Sequence, residues 1–134
     1  KWNVAGRVHI LGHVSDEDLE DLYLRTLALI SPSTYEGFGL PVLEAMIRGV
    51  PVVAWDIPIM REVVGAAGLL IKSGDIRALA GALGAIATST EQRALLKQKG
   101  YAQAKKFSWK SAAAHFLEIL DETTAGGRNL AHNV

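Results

Sequence analysis

The sequence predicts an α/β fold, a parallel sheet covered by helices, and two patterns predict it. Short apolar runs alternate with stretches of helical period along the chain, and proline, glycine and serine punctuate the changes between them. At 134 residues with 49% hydrophobic side chains, the chain is long and apolar enough for the core of one domain. In order, the expected elements are strand 8–12, helix 16–25, strand 27–31, helix 41–48, strand 51–55, short helix 59–65, strand 68–71, and helices 75–88, 91–106 and 109–123.

Each element has a local reason. Alternation from Val8 places Ile10 beside it on one side and His9 and His13 on the other. Ser15 or Asp16 can cap the first helix, and Asp16, Glu17, Asp18, Glu20 and Asp21 crowd its first turns. Asp16-Glu17-Asp18 has the composition of a metal-binding triplet, but helical neighbours point in different directions, so a solvated helix start is expected. Leu27-Ala28-Leu29-Ile30 reads as a buried strand that Ser31-Pro32-Ser33 ends, since proline removes a ladder donor. Pro41 suits a first helical position, Leu43, Met46 and Ile47 give that helix one apolar face, and Gly49 stops it. After Ser73-Gly74-Asp75, Ile76, Leu79, Leu83 and Ile86 recur at helical spacing. Lys97, Lys99, Lys105 and Lys106 read as a solvated helix face, with a docking patch for anionic lipid as the alternative, and Trp2, Trp55 and Trp109 as packing residues.

Composition excludes several classes. Lys plus Arg and Asp plus Glu number 14 each, so no electrostatic case exists for nucleic acid as a partner. Without cysteine there are no disulfides, thiolate nucleophiles or cysteine metal sites. The stretch Leu79 to Ala87 is interrupted by glycines and falls short of the ~20 apolar residues of a membrane span.

The chemistry concentrates between Ser31 and Val53, where the end of a strand, a glycine-flanked loop and a helix start carry Glu36 and Glu44. Gly37 and Gly39 bracket Phe38, allowing unusual backbone conformations and close approach of a ligand. The amides of Gly39, Leu40 and Val42 would gather at a positive helix end beyond the carboxyl edge of a strand, a favourable place for a phosphate. Glu44, one turn in, would be kept ionised by the helix dipole, and a carboxylate accepts hydrogen bonds in pairs, which suits a ribose diol. A plain tight turn followed by a dipole-favoured glutamate explains the same residues.

EGFGLPVLE, a glutamate, seven residues and a glutamate, resembles the signature of retaining GT-B glycosyltransferases, most closely glycosyltransferase family 4. The flanks resemble that family too: Val8-His9-Ile10-Leu11-Gly12-His13-Val14 before the signature, then Gly49 to Ala54, Arg61 to Val64, Gly68 to Ile71 and Phe107-Ser108-Trp109 after it. The resemblance covers residues 7 to 120 and implies that 1–123 form part of a C-terminal, Rossmann-like donor-binding domain, with 124–134 a loose tail. It implies transfer of a hexose from a nucleotide diphosphate donor, GDP- or UDP-linked with a lean toward GDP-mannose, in glycan or polysaccharide biosynthesis, without metal or other cofactor. Carried over residue by residue, Glu36 would face the transferred sugar as the catalytic residue, orienting its hydroxyls and stabilising positive charge. Gly37, Phe38, Gly39 and Leu40 would hold the nucleotide sugar, with Gly39 and Leu40 offering amides to the diphosphate, and Glu44 would hold the ribose. His13 and Val14 are candidates for the base pocket.

The sequence departs from the family pattern upstream of Val8, where two strand–helix units, an arginine and lysine that clamp the diphosphate, and an N-terminal domain that brings the glycan or lipid-linked acceptor are expected and do not occur. A doubly wound sheet ordered 3-2-1-4-5-6 would leave the strand at Val8 without its neighbour. That strand is expected to pair with a second copy through its exposed edge, to repack against Leu27–Ile30, or to leave the chain weakly stable. The alternative to half of an enzyme, inactive alone, is a non-catalytic nucleotide- or sugar-binding module of the same fold. A glycoside hydrolase would also use two carboxylates, but nothing marks an acid of raised pKa. The expected compartment is the cytoplasm, with peripheral attachment at the inner membrane face in the intact enzyme.

Overall fold

Val52-Val53-Ala54-Trp55 is buried at every position, as a strand covered on both sides must be, and the domain is assembled around it. In the computed structural model, which describes residues 4–130, these four residues are β2 (Val52–Trp55), the middle of a three-stranded parallel sheet. β1 (Leu29–Ser31) pairs on one side, with Leu29 opposite Val52, and β3 (Leu69–Ile71) on the other, with Val53 opposite Leu69. Helices fill the connections: α1 (Asp16–Arg25), α2 (Leu40–Ile47), α3 (Pro58–Val63), α4 (Ile76–Thr88), α5 (Thr90–Ala104) and α6 (Trp109–Leu130), with 3-10 turns at Ala5–Arg7 and Gly65–Ala67. The architecture is the α/β fold with a parallel sheet flanked by helices that the sequence predicts.

Alternation along β2 divides the core. Val52 and Ala54 face a cluster that includes Tyr23 of α1, Val42, Leu43 and Met46 of α2, Met60 and Val63 of α3, and Ala104 of α5. Val53 faces the opposite layer, with Ile86 of α4 and Leu96 of α5. Serines and an aspartate start the helices: Ser15 Oγ accepts from the Asp18 amide, Asp75 Oδ1 from Ala78, and Ser89 Oγ from Gln92. Ser89 also ends α4, so one residue closes a helix and opens the next. Gly49 stops α2 at φ +73°, and a Cβ there would meet the Tyr101 hydroxyl of α5 at 2.5 Å.

Four expectations change. Residues 8–12 are not a strand: Val8, Ile10 and Leu11 are exposed and make no ladder, and among the described residues β1 pairs only with β2. Repacking of Val8–Leu11 against Leu27–Ile30 therefore does not occur in this chain, because an extended run becomes a strand only when a neighbour takes its backbone groups. The three strands that form lie in chain order, β1-β2-β3, and both pairs are parallel. At the other end, α6 runs to Leu130, beyond the helix end expected at 123, and takes in Gly126 and Gly127. Trp55 packs as expected, but Trp109, expected to pack, is 91% exposed at the start of α6, whose described side chains all lie in solvent. Trp2 lies outside the described residues. Finally, Leu40 rather than Pro41 is the first residue of α2.

Candidate functional site

The loop from Pro32 to Gly39 leaves the carboxyl end of β1 and turns into α2, so Glu36, Gly37, Phe38, Gly39, Leu40 and Glu44 lie on one rim of the sheet. Its geometry comes from Gly39. That residue caps α2 in the left-handed region at φ +87° and ψ +46°, and a Cβ on it would come within 2.7 Å of the Met60 methyl group. Gly37 differs. Its φ is not positive, and a Cβ there would meet nothing within 4 Å. Phe38 between them sets its ring edge-on to Phe107, centroids 5.8 Å apart and planes at 80°, so the segment joining α5 to α6 props the loop.

The helix start offers fewer amides than the sequence suggests. Val42 N–H donates to the Gly39 carbonyl at 3.0 Å and Leu43 N–H to the same oxygen at 3.2 Å, which removes Val42 from the expected set. Pro41 has no N–H, and helix geometry gives Gly39 and Leu40 no intrahelical acceptor, so their two amides are what the end presents. Leu40 is exposed and Gly39 buried.

The two glutamates occupy different surroundings. Glu36 is half-buried and has no side-chain hydrogen bond or ion pair with the described residues. Glu44, also half-buried, accepts from the Tyr23 hydroxyl at 3.2 Å. Tyr23 is buried on α1, and its hydroxyl also lies 3.3 Å from the Pro41 carbonyl oxygen. Arg48 completes the group: its guanidinium stands 4.8 Å from the Tyr23 ring centroid, its Nε donates to Glu20 at 2.6 Å, and its Nη1 donates to the Glu44 carbonyl at 3.2 Å. Burial first, and then the neighbouring Glu44 charge, raises the Tyr23 phenol above its usual pKa, so it remains a donor. Sequence reasoning missed this cluster. The usable signal was Tyr23 one turn after Leu19 on a helix facing α2, with Arg48 one turn after Glu44.

Other candidates fall elsewhere. His13 is exposed and takes part in no hydrogen bond or ion pair among the described residues; Val14 beside it is half-buried. Asp18 of the acidic triplet accepts from Ser15, and no group of three or more metal-ligating side chains gathers among the described residues. A cavity of about 400 Å³ lies at the amino ends of the strands, opposite the loop, lined by Tyr23, Thr26, Leu27, Arg48, Pro51 and Arg93.

Comparison with known proteins gives a consistent result. Residues 1–103 match the family described as glycosyl transferases group 1. The chain is 43% identical over 112 residues to O-antigen chain mannosyltransferase B of Escherichia coli, covering 84% of this chain and 29% of that protein. It is 35% identical over 126 residues to MMP alpha-(1->4)-mannosyltransferase of Mycolicibacterium hassiacum, covering 91% of this chain and 31% of that one. Among solved structures, sucrose-phosphate synthase from Thermosynechococcus elongatus superposes with a TM-score of 0.78 at 28% identity, over 92% of this chain and 32% of that one. The chain thus spans about a third of the length of these relatives. With its parallel sheet, its helix order and the family match over most of its length, the chain belongs to the glycosyl transferases group 1 family, as a Rossmann-like domain of the GT-B fold.

Proposed function

We propose that this chain carries the nucleotide-sugar half of the active site of a retaining glycosyltransferase. The observation that supports it best is the arrangement at one rim of the sheet: a left-handed Gly39 opening α2, two amides without a helix partner, and a carboxylate on either side. In this reading the Gly39 and Leu40 amides take the diphosphate, where negative charge grows as the bond to the sugar breaks, and Glu44 accepts from the ribose hydroxyls. Glu36, without a protein partner, faces the sugar, orients its hydroxyls and stabilises the positive charge of an oxocarbenium-like transition state. No metal is required, since amides and basic groups serve the leaving diphosphate.

The transferred sugar in this proposal is mannose from GDP-mannose, in polysaccharide biosynthesis, a reading supported by two relatives named as mannosyltransferases, one of them of the O-antigen chain. The acceptor is brought by a second domain, and the arginine and lysine that complete the phosphate clamp come from the two strand–helix units expected before Val8. Calorimetric titration of the chain with GDP and UDP tests the donor site. Binding of GDP that Glu44→Ala weakens about tenfold is the expected result. A folded chain that takes up neither nucleotide would instead favour a module with no role in transfer.

A further inference from the structure

Glu44 does not reach the rim as a freely rotating side chain. The hydroxyl of Tyr23 donates to its Oε2 at 3.2 Å, and Tyr23 itself is fixed: 7% exposed, packed in the core, with the Arg48 guanidinium over its ring. Arg48 is anchored at both ends, by Glu20 on α1 and by the backbone carbonyl of Glu44 on α2. A carboxylate has two oxygens, and a hydroxyl holding one of them limits rotation and leaves the other for a ligand. We propose that Tyr23 is a positioning residue for Glu44, its hydroxyl engaging one carboxylate oxygen so that the other is presented to the ribose diol of a bound nucleoside diphosphate.

The inference rests on the nucleotide-site reading above and extends it to a residue on a different helix. The phenol has a single proton, and the Pro41 carbonyl oxygen at 3.3 Å is its other acceptor, so the proton is shared between the first turn of α2 and the carboxylate one turn on. Without the hydroxyl, Glu44 would keep its charge and its place on α2 but lose its fixed torsion, and a ligand would have to order it on binding. The loss therefore belongs to ribose recognition alone. A tyrosine that served only the core would affect every ligand of the rim alike.

The experiment compares GDP with 2′,3′-dideoxy-GDP on the 134-residue chain, unchanged and as Tyr23→Phe, which keeps the ring and the contact with Arg48. The unchanged chain is expected to prefer GDP. Tyr23→Phe is expected to weaken GDP about fivefold and leave the dideoxy nucleotide unmoved, so that the preference shrinks. In a Glu44→Ala background the same substitution should cost nothing further, because the two side chains act as one unit. Equal weakening of both nucleotides by Tyr23→Phe, or full loss again in the Glu44→Ala background, would overturn the positioning role. Equal affinity of the unchanged chain for both nucleotides would remove Glu44 from the ribose and overturn it too, while leaving a nucleotide site in place. No binding of either by the folded, unchanged chain would overturn the site itself.

Discussion

The loop that carries Glu36 and the helix that carries Glu44 form one rim, yet the fold treats their two halves in opposite ways. From Gly39 onward everything is determined: the backbone is left-handed, the Met60 methyl group fills the space a Cβ would need, and Glu44 is tied through Tyr23 to α1. Before Gly39 little is determined, since a Cβ on Gly37 would meet open space and Glu36 has no side-chain partner among the described residues. The built half keeps its geometry through the protein's own contacts. In the open half Phe38 packs edge-on against Phe107, while in the proposed reading Glu36 serves the ligand.

Substitutions can break this comparison. The largest effect is expected from Glu36→Gln, which should lower turnover about a hundredfold in an enzyme that carries this chain as its donor domain, with stability and nucleotide affinity unchanged. Single-turnover transfer beside calorimetric titration checks it, and full activity would place Glu36 outside the chemistry. Next comes Gly39→Ala, expected to cost about 2 kcal/mol, because an alanine at φ +87° is strained and its methyl group must displace Met60. Gly37→Ala should stay within about 0.5 kcal/mol. Urea midpoints of the two variants decide the matter, and similar losses would erase the difference between the halves.

Smaller effects sharpen it. Phe107→Ala removes the ring that props Phe38 and should cost about 1 kcal/mol, with faster amide exchange at Phe38 and Gly39 than at Val42. Uniform exchange along the three residues would show that the prop is not local. The smallest effect lies outside both halves, at the Asp56–Arg61 pair beyond β2, with Nε to Oδ1 at 2.5 Å and Nη2 to Oδ2 at 3.1 Å. The hydrogen bond from Arg61 holds the Asp56 carboxyl below its ordinary value, so its folded pKa lies under its unfolded one. Its stabilisation is therefore present above about pH 4 and fades as pH falls through the lower folded value. The stabilities of the unchanged chain and Asp56→Asn should converge in acid, and a gap that persists there would assign the effect to something other than the ionised carboxylate.

The same division explains what the sequence could tell. β2 and α4 were legible because burial and helical period are written in consecutive residues, Val52 to Trp55 and Ile76 to Ile86. Gly39 was legible as punctuation, but its left-handed angle and its contact with Met60 depend on a helix many residues later. Val8 to Leu11 misled, because alternation reports what a strand needs and not whether a neighbour exists to pair with it. The Tyr23–Glu44–Arg48 cluster left only helical spacings in the sequence, Leu19 to Tyr23 and Glu44 to Arg48, and joining them requires knowing that α1 lies across α2. Residues 124–130 were hidden for a further reason: two adjacent glycines disfavour a helix only by propensity, which a long flanking helix can override.

The open side of β1 offers less than its position suggests. Leu29 N–H donates to the Pro51 carbonyl, so Leu29 and Ser31 direct their backbone groups to β2, and Ala28, Ile30 and Pro32 direct theirs outward. Of these outward groups, the Ala28 carbonyl already accepts from the Thr26 hydroxyl at 3.2 Å, and Pro32 has no hydrogen to give. What is left for a neighbouring strand is the Ala28 N–H, the two groups of Ile30 and the Pro32 carbonyl. Any strand that pairs on this side therefore finds only two backbone donors, Ala28 and Ile30, and those two set its register.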